Sequence, residues 1–205
     1  MKRIAIIDYG AGNIFSVAVA VRKFDADAFL TRDPSVLKNV SRIILPGVGA
    51  FGDGMENLLK TGMAGALKEE IAAGKEFLGI CLGFQMLFSW SEEGDCAGLG
   101  VMRGRVVRFR PPDPSLPVPH MGWNRVGYTG SPPPVARGIP DDSWFYFAHS
   151  YHVVPEDPAV IAGRTDYGGR FVSFVRTGNV TGVQFHPEKS GSFGLRFIRQ
   201  FVEGE

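Results

Sequence analysis

The sequence predicts an α/β fold of three layers, in which a mixed, mostly parallel sheet carries helices on both faces. Two observations lead there. Through residue 88, short apolar runs alternate with segments of helical spacing, the pattern of parallel strands covered on both sides. Beyond residue 100 the chain changes to short strand-like runs separated by tight turns, and no linker sets the two halves apart. We therefore expect one mixed α/β domain over residues 1–205.

The elements follow in order. Residues 3–7, rich in Ile, read as a buried strand. Asp8-Tyr9-Gly10-Ala11-Gly12-Asn13 reads as a turn, with Asn13 placed to cap a helix on which Ile14, Val17, Val21 and Phe24 recur at helical spacing. Residues 28–30 form a short strand closed by Asp33-Pro34, and 42–45 another, ending in Pro46-Gly47-Val48-Gly49. Helices are expected over 55–60 and 63–73, then a buried strand from Phe77 that runs through Gly79-Ile80-Cys81-Leu82-Gly83 into a helical pattern. In the second half, 106–109, 144–147, 152–154, 159–162, 170–175 and 180–185 read as strands, and 193–202 as a closing helix. Proline clusters at 111–119 and 132–134 mark irregular loops.

Composition narrows the function. The 205 residues carry a net charge of +1, with no basic patch of the kind nucleic acid or an anionic membrane requires. Two cysteines, Cys81 and Cys96, make no disulfide framework and suit a reducing compartment. Asp8 ends the first apolar run too early for a signal peptide, and no apolar stretch is long enough to span a bilayer. A cytoplasmic protein is expected, with neither metal nor cofactor.

The strand–Gly-x-Cys-x-Gly–helix stretch is the arrangement of a nucleophile elbow, with sulfur in place of oxygen. A turn this tight needs glycine where a Cβ would collide, and it strains the apex residue, Cys81. There the sulfur meets the N-terminus of a helix, whose free N–H groups and dipole favour a thiolate. A buried structural cysteine is the competing reading. His186-Pro187-Glu188 ends a strand. In extended backbone the two ionisable side chains point the same way, so the carboxylate can fix the imidazole tautomer. A cysteine and a carboxylate-supported histidine form a kit for acyl transfer through a thioester; alone, His-Pro-Glu reads more readily as a surface turn, and only beside the elbow does the catalytic reading prevail. Pro46-Gly47-Val48-Gly49 lies at the carboxyl end of a parallel strand, where open α/β sheets bind ligands. There it can aim N–H groups at an oxyanion, with the N–H of Leu82 as the second donor, or serve as an ordinary strand-to-helix turn.

Together, Gly79-Ile80-Cys81-Leu82-Gly83-x-Gln85, Pro46-Gly47-Val48-Gly49 and His186-Pro187-Glu188 resemble the class I glutamine amidotransferases, in that order and at that spacing, over nearly the whole chain. The resemblance implies their flavodoxin-like fold. More narrowly, Asp8-Tyr9-Gly10-x-Gly12-Asn13, Pro119-His120-Met121-Gly122-Trp123-Asn124, His149-Ser150-Tyr151 and Phe185 to Ser190 resemble the glutaminase subunits of imidazole glycerol phosphate synthase, of histidine biosynthesis. The resemblance implies that Cys81 attacks the side-chain amide of L-glutamine, that His186 moves the protons and that Glu188 orients His186. It makes Leu82 and the loop Gly47, Val48 and Gly49 the oxyanion donors, with the loop turned wrongly until the partner is loaded and the Val48 N–H the one that must turn. Gln85 and Glu93 would hold the amino-acid end of glutamine, and backbone at Ser150 and Tyr151 would meet its carboxylate. The implied partner is a (β/α)8 cyclase in a heterodimer, reached through Asn13, Trp123, Tyr146 and Lys189; for Trp123 a buried core position is the equal alternative. An independent argument also favours a partner: ammonia released into neutral water is protonated and no longer a nucleophile, and this chain shows no second substrate site.

Three other readings compete: a glutaminase serving another synthase, a non-catalytic regulatory subunit of the same fold, and a thiol hydrolase of peptides or γ-glutamyl conjugates without a partner. His120 to Asn124 speaks against the first, and the intact Cys81, His186 and Glu188 against the second. The proline-rich loops at 111–119 and 130–140 depart from the family pattern. His152 is expected to be structural and Cys96 a bystander.

Overall fold

The computed structural model describes residues 2–10 and 14–204. The expected helix cap at Asn13 lies outside them. Strand β1 (Lys2–Ile7) leads to helix α1 (Ile14–Arg22) and strand β2 (Ala26–Thr31). After a 3-10 turn at Pro34–Asn39 come β3 (Arg42–Leu45), α2 (Phe51–Lys60), α3 (Met63–Ala72), β4 (Glu76–Ile80) and the single turn α4 (Leu82–Gln85).

The rest is mainly strand: β5 (Phe88–Ser91), β6 (Cys96–Ala97), β7 (Met102–Arg108), β8 (His120–Tyr128), β9 (Ser143–His149), β10 (Tyr151–Pro155), β11 (Ile161–Asp166), β12 (Arg170–Thr177) and β13 (Val180–Val183). Helix α5 (Gly191–Glu203) closes the chain.

Five strands in the order β2-β1-β3-β4-β13 run parallel. From β13 the sheet continues antiparallel through β12, β10 and β7, with β11, β8 and β9 branching from β12.

The apolar runs form buried strands because both sheet faces are covered. Along β1, Ile4 and Ile6 pack with Val17 and Val21 of α1 and with Phe197, Ile198 and Phe201 of α5. Ala5 and Ile7 point the other way, toward Phe51, Met55 and Leu58 of α2 and Leu67 and Ile71 of α3. Successive side chains of a strand alternate between faces, so an unbroken Ile run fills two cores at once. These are the three expected layers.

Several boundaries differ from expectation. The helix expected at 55–60 begins at Phe51, because Glu93 caps its first turn from a distant part of the sequence. The helical pattern after Cys81 stops at Gln85, and Phe88 opens a strand. Met86, Leu87 and Phe88 are all buried, so no polar face was left to show a period. Residues 158–160 form a 3-10 turn rather than a strand start, and the strand expected over 180–185 ends at Val183, where Gln184 turns into the site. Strand β8 was not expected at all: its nine residues mix His, Gly, Trp, Asn and Arg and show no apolar alternation.

Candidate active site

The site is built where β4 and β13 end side by side. Ile80 pairs with Val183 in parallel register, and the Cys81 N–H donates to the Val183 carbonyl at 2.8 Å. Cys81 therefore leaves the end of one strand while Gln184, Phe185 and His186 leave the end of its neighbour.

Cys81 has φ of 52° and ψ of −107°, a left-handed backbone that a non-glycine residue seldom holds, so the elbow strain expected from sequence is present. The flanking glycines are required by close approach. A Cβ at Gly83 would run into the Leu45 carbonyl, and one at Gly79 would come within 2.9 Å of the Phe84 backbone.

His186 is buried, and its Nδ1 lies 2.9 Å from Glu188 Oε1, itself buried. The expected tautomer-fixing pair is thus in place. Burial works against a charged imidazole here, but the nearby Cys81 charge and the bonded Glu188 carboxylate outweigh it and raise the His186 pKa to about 10. His186 Nε2 is buried without a hydrogen bond, leaving it available to a reacting group.

A cavity of about 220 Å³ opens on the sulfur. Its walls include Val48, Gly49, Cys81, Leu82, Gln85, Glu93, Ser150 and Tyr151, every residue expected around the oxyanion and the substrate except Gly47. The Gly47 carbonyl instead accepts the Leu82 N–H at 3.3 Å. The donor expected to face an oxyanion is therefore occupied in this conformation. Gln85 donates to the Tyr151 carbonyl at 2.9 Å and to Gln184 Oε1 at 3.0 Å. Glu93 accepts from the Phe51 N–H with one oxygen while its side chain lines the cavity.

Gln184, missed from sequence, donates to Cys81 Sγ at 3.6 Å. It is fully buried and links the sulfur to Gln85. The two-residue spacing from His186 was the available signal, since alternate residues of extended backbone face the same way.

Trp123, Tyr146 and Lys189 come together on the flank of His186. The Trp123 and Tyr146 rings meet edge to face at 6.2 Å, and Lys189 Nζ lies 5.8 Å from the Tyr146 ring centre. Trp123 is 52 % exposed, which removes the buried-core alternative. Asn13, expected with them, lies outside the described residues.

His152 packs against Phe109 and Phe171, as a structural residue would. Cys96 lies apart from the cavity lining, and burial together with Glu93 and Asp95 pushes its thiol pKa up. Among the described residues, no group of three or more His, Cys, Asp or Glu is placed to hold a metal ion, and no helix is long and apolar enough to cross a membrane.

A strained cysteine at a strand-to-helix turn, with a carboxylate-bound histidine leaving the end of the neighbouring parallel strand, is an arrangement suited to acyl transfer through a thiol. The profile of the family described as Glutamine amidotransferase class-I matches residues 5–203, and the chain belongs to that family.

Within it, the chain is 46 % identical over 202 residues to the imidazole glycerol phosphate synthase subunit HisH of Synechococcus sp. (strain JA-2-3B'a(2-13)), covering 98 % of this chain and 92 % of that one. It is 46 % identical to the subunit of the same name from Moorella thermoacetica, with 99 % and 95 % covered, and 47 % identical to that of Aromatoleum aromaticum, with 98 % of each covered. Among solved structures, PurLQS from Thermotoga maritima superposes with a TM-score of 0.77 at 21 % identity, covering 99 % of this chain and 98 % of that one, a likeness of fold.

Proposed function

We propose that this chain, a single amidotransferase domain, is the glutaminase subunit of an imidazole glycerol phosphate synthase, with Cys81, His186 and Glu188 as its catalytic residues. The observation that carries the chemistry is that Cys81 and the Glu188-bound His186 leave the neighbouring ends of β4 and β13, close enough for the charge at Cys81 to raise the His186 pKa. The similarity to HisH subunits over nearly the full length supports the choice of synthase.

In this reading the Cys81 thiolate adds to the side-chain amide carbon of L-glutamine, and the carbonyl oxygen takes the negative charge. His186, held protonated, gives its proton to the leaving nitrogen. Ammonia departs and a γ-glutamyl thioester remains. Neutral His186 then takes a proton from water, whose oxygen attacks the thioester carbon. Glutamate leaves and the sulfur returns to thiolate.

Glu188 keeps the His186 ring in register throughout. Glu93 and the backbone at Ser150 and Tyr151 hold the charged end of glutamine, which would be costly to bury unpaired. Oxyanion donors come from Leu82 and the Gly47–Gly49 loop once the Gly47 carbonyl lets go of the Leu82 N–H.

The ammonia passes to a (β/α)8 cyclase partner, which combines it with PRFAR to give imidazole glycerol phosphate and AICAR. The exposed Phe15 and Val19, which line a groove with Glu188 and Lys189, and the exposed Met121 and Trp123 support a docking face near the triad. A cytoplasmic location fits this chemistry.

The test is the pair of half-reactions. In the assembled synthase, Cys81→Ser should abolish glutamine-driven synthesis and leave synthesis from free ammonium salts intact. Loss of both activities would refute the division of labour, and co-purification with a different synthase barrel would refute the assignment.

A further inference from the structure

Tyr9 follows β1 in the turn whose sequence helped to mark the family, yet nothing in the chemistry above uses it. Its ring is 4 % exposed, and its hydroxyl is buried without any hydrogen-bond partner. Leaving a hydroxyl in that state is costly, and phenylalanine at the same place would avoid the cost.

The position of the hydroxyl suggests what offsets that cost. It rests against Gly47, where any Cβ would run into it, and the ring edge lies 3.4 Å from a Cβ placed at Gly54. The Gly47 carbonyl is bound to the Leu82 N–H by a long 3.3 Å contact. Two donors thus lie beside Gly47, the Leu82 N–H and the Tyr9 hydroxyl, and only the backbone donor is used by its carbonyl. Gly47 has no side chain, and Gly49 sits at φ of 112°. Glycine on either side gives the backbone around Val48 dihedrals that other residues could not adopt.

We propose that Tyr9 is a positioning residue of the oxyanion loop: its O–H takes over the Gly47 carbonyl when the loop turns, and so frees the Leu82 N–H to face the oxygen of substrate attached at Cys81. The exchange breaks one backbone bond and forms two, one to Tyr9 and one to the oxyanion. It also gives the buried Tyr9 hydroxyl a partner, so the resting conformation is held less firmly than its burial suggests. Burial, and then the charge at Cys81, push the phenol pKa up, so the hydroxyl keeps the proton it must donate. This inference rests on reading Leu82 and residues 47–49 as the oxyanion donors.

The test is Tyr9→Phe in the chain assembled with the partner it co-purifies with, assayed for glutamine hydrolysis beside wild type and Cys81→Ser. We expect kcat to fall about five- to tenfold with KM for glutamine unchanged, the loss of one supporting hydrogen bond in the transition state. The thermal unfolding temperature should stay level or rise, because the hydroxyl has no partner at rest. An unchanged kcat, or an unfolding temperature that falls, overturns the proposal. If Cys81→Ser still hydrolyses glutamine, the parent reading fails and this one with it. If Cys81→Ser is inactive while Tyr9→Phe matches wild type, only the role of Tyr9 is lost.

Discussion

His120 Nδ1 and His149 Nε2 lie 3.0 Å apart inside a cage of aromatic rings, and the proton between them can sit in only one sense. His149 Nδ1 meets the Tyr151 carbonyl at 2.8 Å, so that nitrogen carries the hydrogen and Nε2 must accept. His120 Nδ1 is then the donor, and its Nε2 accepts from Asn124 Nδ2 at 3.3 Å. The chain of bonds ties β8 and β9 to the Ser150–Tyr151 backbone that lines the cavity.

Acid should loosen this region first. Burial lowers the pKa of His120 from 6.5 to about 4 and that of His149 to about 3. Between those values and 6.5 the unfolded chain binds more protons than the folded one, so these groups make stability fall as pH drops from 6.5 toward 3. Urea midpoints measured from pH 7 to pH 4.5 should decline, and His120→Asn should flatten the decline. An equal slope in the variant would show that the pair does not titrate on unfolding.

The two cysteines should separate cleanly by reactivity. A glutamine-like electrophile, followed by peptide mass spectrometry, should modify Cys81 in the cavity and spare Cys96, whose thiol is pushed toward the protonated form. Equal labelling of both would remove the case for a selectively activated sulfur.

Two glycine substitutions should act in opposite directions. Gly83→Ala must displace the Leu45 carbonyl and should cost more than about 3 kcal/mol or prevent folding. Gly65→Ala, in the exposed face of α3 with nothing near its added methyl, should stabilise by about 0.5–1 kcal/mol. Chemical denaturation of both variants reads the contrast.

Trp123→Ala should leave the isolated chain's stability within about 0.5 kcal/mol of wild type, because half the ring is exposed. The same change should weaken binding to the proposed cyclase partner at least tenfold if the ring is a docking anchor, since truncating such aromatics costs about 2 kcal/mol or more. Calorimetric titration of the two subunits checks it, and unchanged affinity would remove Trp123 from the interface.

Much of this was legible in the sequence, and unevenly so. The parallel strands announced themselves because both faces are buried and Ile fills both. The elbow was readable because only glycine fits at Gly79 and Gly83 and only a sharp turn needs both. Strand β8 was hidden because its buried positions are filled by His120 and Val126, with Gly122 between them, a set without an apolar signature. Gln184 escaped notice because a buried amide looks polar and solvent-facing until its partners, Cys81 and Gln85, are known. The occupied state of the Leu82 N–H is a matter of conformation, which residue spacing does not encode.

Cys81 and His186 reach one another only because β4 and β13 are hydrogen-bonded neighbours, though about a hundred residues of chain lie between them. Slippage of that pairing by a single residue would turn Cys81 and His186 to opposite faces. Half-made protein emerging from the ribosome, or a chain frayed along this seam, would therefore hold Cys81 and His186 apart. The central strands thus make the geometry of that pair conditional on a completed middle of the fold.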